Sequence, residues 1–381
     1  MEKINILFVN DEMVMGGVAR ILCTLLKLLD KDKYEIDFLV LHKHGELLSE
    51  IPTNINVIEG TKFFRTVDIP LRECNISNLF SKLRLLLYMK TGLIKKKIIK
   101  ERKKMLNKRY DIEFSAKEGF CTIFNAFGDS LKKINWIQTD YKENNFSINH
   151  MSLIKDALKN IDTNIACSEQ VKNSFEEVFD IKDVVVINNP IDDERIRQMS
   201  LKECKLTMDN KKINLITVSR FHPQKGLDRL IKAFSKYKDF YSLTIVGDGE
   251  LKDSLVALAK ELDAYDDINW TGILSNPYPL IKASDLFVLS SLYEGYPTIT
   301  IETLISGTPI LSTRVAGITN QINNENYGYI VENNLDAIIN ALDSLKHSKK
   351  ALLDKKEQLK KYRYDNNEII DTFDKYFKVE N

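Results

Sequence analysis

The strongest constraint on this chain is a pattern that runs once and then begins again. INILFVN (4–10) is a short β-like run followed by a Gly-Gly turn. VARILCTLLKLL then repeats Val18, Ile21, Leu22, Leu25, Leu28 and Leu29 at helical spacing, and YEIDFLVL (34–41) resumes as a strand. A strand, turn, helix and strand in that order start an open, mostly parallel sheet with helices on its faces. INVI (55–58), DIEFSA (111–116), INWIQ (134–138), TNIACS (163–168) and VVVINN (184–189) continue it. The last leaves through the turn Asn188-Asn189-Pro190-Ile191-Asp192. From about residue 200 the pattern starts afresh with INLITVSR (213–220), a Pro/Gly loop and the amphipathic LDRLIKAFSKY. SLTIVGDG (242–249), INWTG (268–272), DLFVLSS (285–291), TPILST (308–313) and GYIV (328–331) follow as strands, and NNEIIDTFDKYF reads as a terminal helix. Two α/β arrays predict two similar domains with a cleft between them, and parallel sheets bind ligands at the carboxyl ends of their strands.

The bulk numbers agree with that division. At 381 residues the chain suffices for two domains, and 44% hydrophobic with 29% charged residues is ordinary globular composition. A formal net charge of +1 gives no global reason to expect a nucleic-acid partner. No apolar run reaches the roughly 18–20 residues that span a bilayer, and MEKINILFVN reads as a first strand rather than a signal peptide. Cys23, Cys74, Cys121, Cys167 and Cys204 are scattered, with neither a C-x-x-C nor a zinc-finger spacing, and read as thiols in a reducing cytoplasm.

Residues 82–109 stand apart. They hold twelve Lys or Arg against one acid, Glu101, with Leu85, Leu86, Leu87, Leu93, Ile94, Ile98 and Ile99 interleaved. A basic amphipathic helix of this composition suits peripheral contact with an anionic membrane. It equally suits a helix packed on the domain core with its charged face in water.

The chemistry concentrates in SLYEGYPTITIETLISGTP (291–309), where Glu294 and Glu302 lie eight positions apart. On one helix that spacing is about 12 Å along the axis. Pro297 argues for a break, because Tyr296 before it is biased away from helix and Pro itself favours a first helical turn. Glu294 then belongs to a loop and Glu302 to the following helix. A carboxylate suits a pair of sugar hydroxyls, and the N–H groups at a helix start suit a phosphate. SRFHPQKG (219–226) adds Arg220 and Lys225, five apart between a strand and a helix, both fitted to phosphate oxygens. MGGVAR (15–20) offers Gly16 and Gly17, which let backbone approach a ligand closely. Neither it nor VGDGEL (246–251) is G-x-G-x-x-G, so the dinucleotide fingerprint is absent. The D-x-D at Asp30-Lys31-Asp32 falls at the end of the first helix and reads as a solvated turn.

Together these segments resemble the retaining glycosyltransferases of the GT-B fold, family 4 (glycosyl transferases group 1), including bacterial surface-polysaccharide and glycolipid transferases. The resemblance is densest from 213 to 331. It takes in SR…KG, VGDGEL, NWTG, ASDLFVLSSLYEGYPTITIETLISGTPILST, VAG (315–317) and NYGYIV. It implies two Rossmann-like domains with parallel sheets facing a central cleft. Residues 1–192 would bind the acceptor and 193–365 the nucleotide sugar, with 366–381 packing back as a helix on the first domain. The positions of Arg220 and Lys225 then meet the donor diphosphate, Glu294 the transferred sugar and Glu302 the ribose. Gly272 and Ile273 frame the base. Gly295, Tyr296, Pro297 and Thr298 line the donor, and Gly17, with Gly16, approaches the phosphates or sugar.

The resemblance implies transfer with retention of configuration to an α-linked product. The donor is a UDP-sugar in preference to a GDP-sugar, and no cofactor and no metal are expected. The acceptor is a cell-surface glycan, a teichoic-acid-like polymer or a lipid-linked glycan, reached from the cytoplasm at the inner membrane face. One departure stands out: INWIQTDYKENN has Gln138 where relatives commonly have His. Gln cannot act as a base. The proton therefore goes to Asp140 or to the donor's own phosphate, with His150 a weaker substitute, or else the enzyme is impaired. The other readings are a non-catalytic GT-B partner that binds another transferase's acceptor, and an epimerase or phosphorylase on the same fold. The four residues Arg220, Lys225, Glu294 and Glu302 speak against the first, and the order of the C-terminal motifs against the second.

Overall fold

A computed structural model describes residues 3–379 except 68, 70, 72–73, 143–147, 205, 207 and 323–326. The chain divides into two compact units, Met1–Pro190 with Asn366–Asn381, and Ile191–Asp365. Each is an α/β, Rossmann-like domain built on one parallel sheet.

In the first unit, β1 (Ile4–Asn10), β2 (Tyr34–Val40), β3 (Asn56–Glu59), β4 (Ile112–Ser115), β5 (Lys132–Ile137), β6 (Thr163–Ala166) and β7 (Val185–Val186) form a seven-stranded sheet in the order β3-β2-β1-β4-β5-β6-β7. The apolar run VVVINN thus contributes only a two-residue edge strand. In the second, β8 (Ile213–Val218), β9 (Tyr241–Val246), β10 (Ile268–Gly272), β11 (Leu286–Leu289), β12 (Ile310–Thr313) and β13 (Gly328–Val331) form a six-stranded sheet in the order β10-β9-β8-β11-β12-β13. Every pairing is parallel, with β1 against β4 from Ile6↔Ile112 and β8 against β11 from Leu286↔Leu215. Central strands read IIe-, Leu- and Phe-rich without alternation because helices cover both faces.

The helix Asn367–Tyr376 returns to the first unit. Phe373 and Phe377 are fully buried there, with the Phe373 ring 5.4 Å from Trp136 and the Phe377 ring 5.6 Å from Phe114. Tyr34 Oη donates to Asp374 at 2.8 Å beside this cluster.

The basic segment is not one helix. Ile76–Lys90 and Ile94–Met105 are separate, and the break falls at Gly92, whose φ of +70° is a conformation that glycine adopts without strain. The second helix packs down, with Ile94 and Ile98 buried. Arg102 donates to the fully buried Glu113 of β4 at 2.6 Å. Burial raises the Glu113 carboxyl and Arg102 opposes that rise. Among the described residues no helix is long and apolar enough to cross a membrane.

Candidate active site

The sheet order of the second unit reverses between β8 and β11, and the crevice outside the carboxyl ends at such a reversal is where open parallel sheets take ligands. Both chemistry-bearing segments leave the sheet at that point, 219–226 from β8 and 290–297 from β11. They are stitched together by hydrogen bonds. Leu292 N donates to Gln224 O at 2.7 Å, Gln224 Nε2 to Tyr293 O at 3.0 Å, and Ser290 Oγ to Lys225 O at 2.9 Å. Arg229 donates to Ser290 O and to Asn333 Oδ1, and Asn333 Nδ2 to Leu292 O at 2.7 Å. Gly226 permits the approach: its φ is +57°, and a Cβ there would lie 2.3 Å from Ser290 O. Gly247 of the VGDG turn does the same for the strand end, where a Cβ would lie 1.9 Å from Ser219 O.

At the junction sits Glu294. It is buried, and its Oε1 accepts from Lys225 Nζ at 2.7 Å and from Ser291 Oγ at 2.6 Å. The lysine and the glutamate are 69 residues apart in the chain, so only the pairing of β8 with β11 brings them together. A fixed carboxylate beside an ammonium suits a ligand that carries hydroxyls and a phosphate side by side. Arg220 is exposed two residues past β8.

Pro297 caps the helix Thr298–Ser306, so Glu294 lies in the loop and Glu302 within the helix. The first turn of that helix carries no acid, which leaves its positive end open to an anion. Glu302 Oε2 accepts from the hydroxyl of buried Tyr278 at 3.1 Å. Tyr296 lies under the VAG loop, where a Cβ on Gly317 would lie 2.8 Å from its ring. Burial, reinforced by Tyr296, pushes the neighbouring Tyr364 hydroxyl far above its ordinary pKa. Gly272 ends β10 with φ +70°, its carbonyl accepting from Gly247 N at 2.9 Å, and Ile273 beside it is exposed.

Gly16, Gly17 and Asp140 belong to the first unit. Gly16 is extended (φ −178°) and caps the helix Gly17–Leu28, which also has no acid in its first turn. Asp140 is buried after β5. Its Oδ1 accepts from Lys142 N at 3.0 Å and from Ser174 Oγ, its Oδ2 from Gln170 Nε2 at 3.1 Å. The carboxylate thereby ties its own loop to the helix Glu169–Phe179. The Gln138 side chain exchanges two hydrogen bonds with Asn189, at 3.0 and 2.9 Å, while the Gln138 backbone N–H donates to the buried Glu118 at 2.9 Å. Burial, with Lys82 adding to it, lowers the His150 pKa, so its imidazole is neutral at neutral pH.

Sequence reasoning missed Ser291, Gln224, Arg229, Asn333 and Glu118. Ser291 and Gln224 lie inside the segments that drew attention, two residues whose polarity could have marked them. Nothing local marks Asn333, whose partners lie more than 40 positions away.

Residues 201–365 match the sequence profile of the family described as glycosyl transferases group 1. The match falls within the second unit, which resembles a group 1 glycosyltransferase domain. Its matched region contains the whole Lys225–Glu294 junction and both Arg220 and Glu302. An uncharacterized glycosyltransferase of Methanocaldococcus jannaschii is 29% identical over 197 residues, 49% of this chain and 48% of that protein, so the match spans about half of that relative's length. A longer match, 26% identical over 328 residues and 83% of each chain, is to the N-acetylgalactosamine-N,N'-diacetylbacillosaminyl-diphospho-undecaprenol 4-alpha-N-acetylgalactosaminyltransferase of Campylobacter jejuni. Among solved structures, HepE of Anabaena in complex with UDP aligns with a TM-score of 0.69 at 15% identity, covering 98% of this chain and 99% of that one. At that identity the likeness shows the fold alone, the two α/β units of the GT-B fold.

Proposed function

We propose that the protein is a retaining, family 4 glycosyltransferase that moves a hexose or N-acetylhexosamine from a UDP-sugar to a lipid-linked or cell-surface glycan through an α-linkage. The observation that carries this reading is the Lys225–Glu294–Ser291 contact at the sheet's reversal point, beside an acid-free helix start. Glu294 accepts from hydroxyls of the transferred sugar, held in place by Ser291. Lys225 and Arg220 face the diphosphate and neutralise the charge that develops as it leaves, the electrostatic part of catalysis. The backbone of 295–298 adds N–H donors at the helix start. Glu302, steadied by Tyr278, takes the ribose hydroxyls, and the Gly272–Ile273 corner borders the base.

In the transfer the bond from the anomeric carbon to the β-phosphate oxygen breaks. The acceptor hydroxyl bonds to the same face of that carbon, and its proton passes to the departing phosphate oxygen. Asp140 is engaged by three protein donors, which favours the phosphate as the proton's destination. The donor nucleotide draws support from the UDP complex of the Anabaena structure. The α-linkage and the undecaprenyl-type acceptor draw it from the Campylobacter relative, named as an alpha-N-acetylgalactosaminyltransferase acting on a diphospho-undecaprenol. An acceptor of that kind would be met at the inner face of the cell membrane.

The test is nucleotide release from a panel of UDP- and GDP-sugars by the wild type and by Glu294→Ala, with the anomeric configuration of the product read by NMR. Release from UDP-sugars that falls away in the variant and is unchanged by EDTA is expected. A panel with no donor bound or turned over overturns the proposal, and a β-linked product overturns its retaining part.

A further inference from the structure

The apolar residues that the basic segment exposes are not those its composition suggests. Leu85, Ile94 and Ile98 are buried. Besides Leu86 on its flank, the helix Ile76–Lys90 leaves a row in solvent: Ile76, Phe80, Leu83 and Leu87, with relative exposures of 83, 75, 47 and 60%. Their spacing of four, three and four puts all of them on one face. Leu85 lies on the opposite face and faces the core. On the core side of the same helix Lys82 is buried, its ammonium donating to Thr66 O at 2.7 Å. The row is therefore the outward surface of a firmly seated helix, and Leu93, just past the break that follows it, is also 47% exposed.

Along the chain the exposed charge that follows it has one sign. Between Leu83 and Met105 the exposed ionisable side chains are Arg84, Lys90, Lys95, Lys96, Lys100, Lys103 and Lys104. The single acid, Glu101, is buried and accepts from Lys97 at 2.6 Å and Lys104 at 2.8 Å. Protein interfaces are depleted of lysine at their cores, and a second copy on this face would set two positive rims against each other. An anionic bilayer presents the opposite charge to the lysines and a hydrocarbon boundary to the row.

We infer that the face Ile76–Phe80–Leu83–Leu87, with its rim of Arg84, Lys90 and the lysines of the helix Ile94–Met105, docks the protein onto an anionic lipid surface. The helix lies in the interface plane, its phenylalanine and leucines entering the acyl boundary while the lysines stay among the headgroups. The inference does not rest on the glycosyltransferase reading, since docking needs neither donor nor acceptor.

The experiment is co-sedimentation of the full chain with phosphatidylcholine vesicles, with and without an equal share of phosphatidylglycerol, across a salt series. Wild type is expected to pellet with the anionic vesicles and to be released by salt. The double variant F80S/L87S, altered only at exposed positions, is expected to bind roughly tenfold more weakly with an unchanged melting temperature. The triple variant K95E/K96E/K100E is expected to lose the preference for phosphatidylglycerol. Failure of the wild type to bind anionic vesicles overturns the inference, as does binding that neither variant weakens. So does a self-association, seen by sedimentation velocity without vesicle binding, that F80S/L87S abolishes, which would assign the face to a second copy.

Discussion

The two units carry the same sheet reversal and use it differently. In the second, the segments leaving β8 and β11 are cross-braced by backbone and side-chain hydrogen bonds around a buried Glu294. In the first, the reversal lies between β1 and β4, whose exits are joined by the ion pair of Lys117 Nζ with Asp11 at 2.6 Å. The exposed glycine pair lies further along the segment leaving β1, and the buried Asp140, one strand over after β5, is spent on bracing its own loop. If, as proposed, the second unit's site holds a charged, hydroxyl-rich ligand in one geometry, it gains from rigidity, because donors fixed beforehand cost no reorganisation when charge develops. Loops that receive varied partners gain less from it. The contrast teaches that a buried carboxylate is not by itself a reactive one; what matters is whether its partners are side chains that a ligand can share.

Substitutions that hit one unit's carboxylate and spare the other's put that contrast at risk. Glu294→Gln keeps the shape and removes the charge beside Lys225. Donor turnover should fall about 10²- to 10³-fold with little change in melting temperature, measured by nucleotide release. Asp140→Ala should do the reverse, lowering stability by about 1–3 kcal/mol in denaturant unfolding while kcat stays close to wild type. A collapse of kcat at unchanged stability would make Asp140 the base and end the contrast. Ser291→Ala frees one of the two constraints on Glu294 and should lower kcat roughly tenfold with KM nearly unchanged, and Ser291→Thr should restore much of it.

The smallest effect belongs to His150. Its folded pKa lies below the unfolded value, so the unfolded chain binds the proton more readily. The stability contributed by the neutral imidazole is present above about pH 6.5 and is lost as the pH falls below it. His150→Gln should flatten that part of the stability–pH profile by under about 1 kcal/mol and leave donor turnover alone. A pH–rate profile that loses its acidic limb in this variant would instead return His150 to catalysis.

Much of the fold was legible because strand, turn and helix signals are local. INWTG and GYIV form strands at the residues read from the sequence, and Pro297 opens the helix that separates Glu294 from Glu302. The basic segment shows where local reading fails. Read as a charge run, the segment keeps its charged face in water, whereas its Arg102 is buried against Glu113, a residue on a strand that the helix has to meet first. Composition likewise spread the apolar face over 82–109, although the solvent-facing row lies further back, on 76–87.

By itself the sequence determined two parallel α/β domains, the place where each strand gives way to a loop, and the residue types gathered in SRFHPQKG and SLYEGYPTITIE. Those follow from spacing and from the conformations that Gly and Pro allow, which neighbours a few positions away decide. Only the tertiary structure decided which of those residues touch. Lys225 meets Glu294 because β11 pairs beside β8 rather than at an edge, and that strand order is set by packing over the whole sheet.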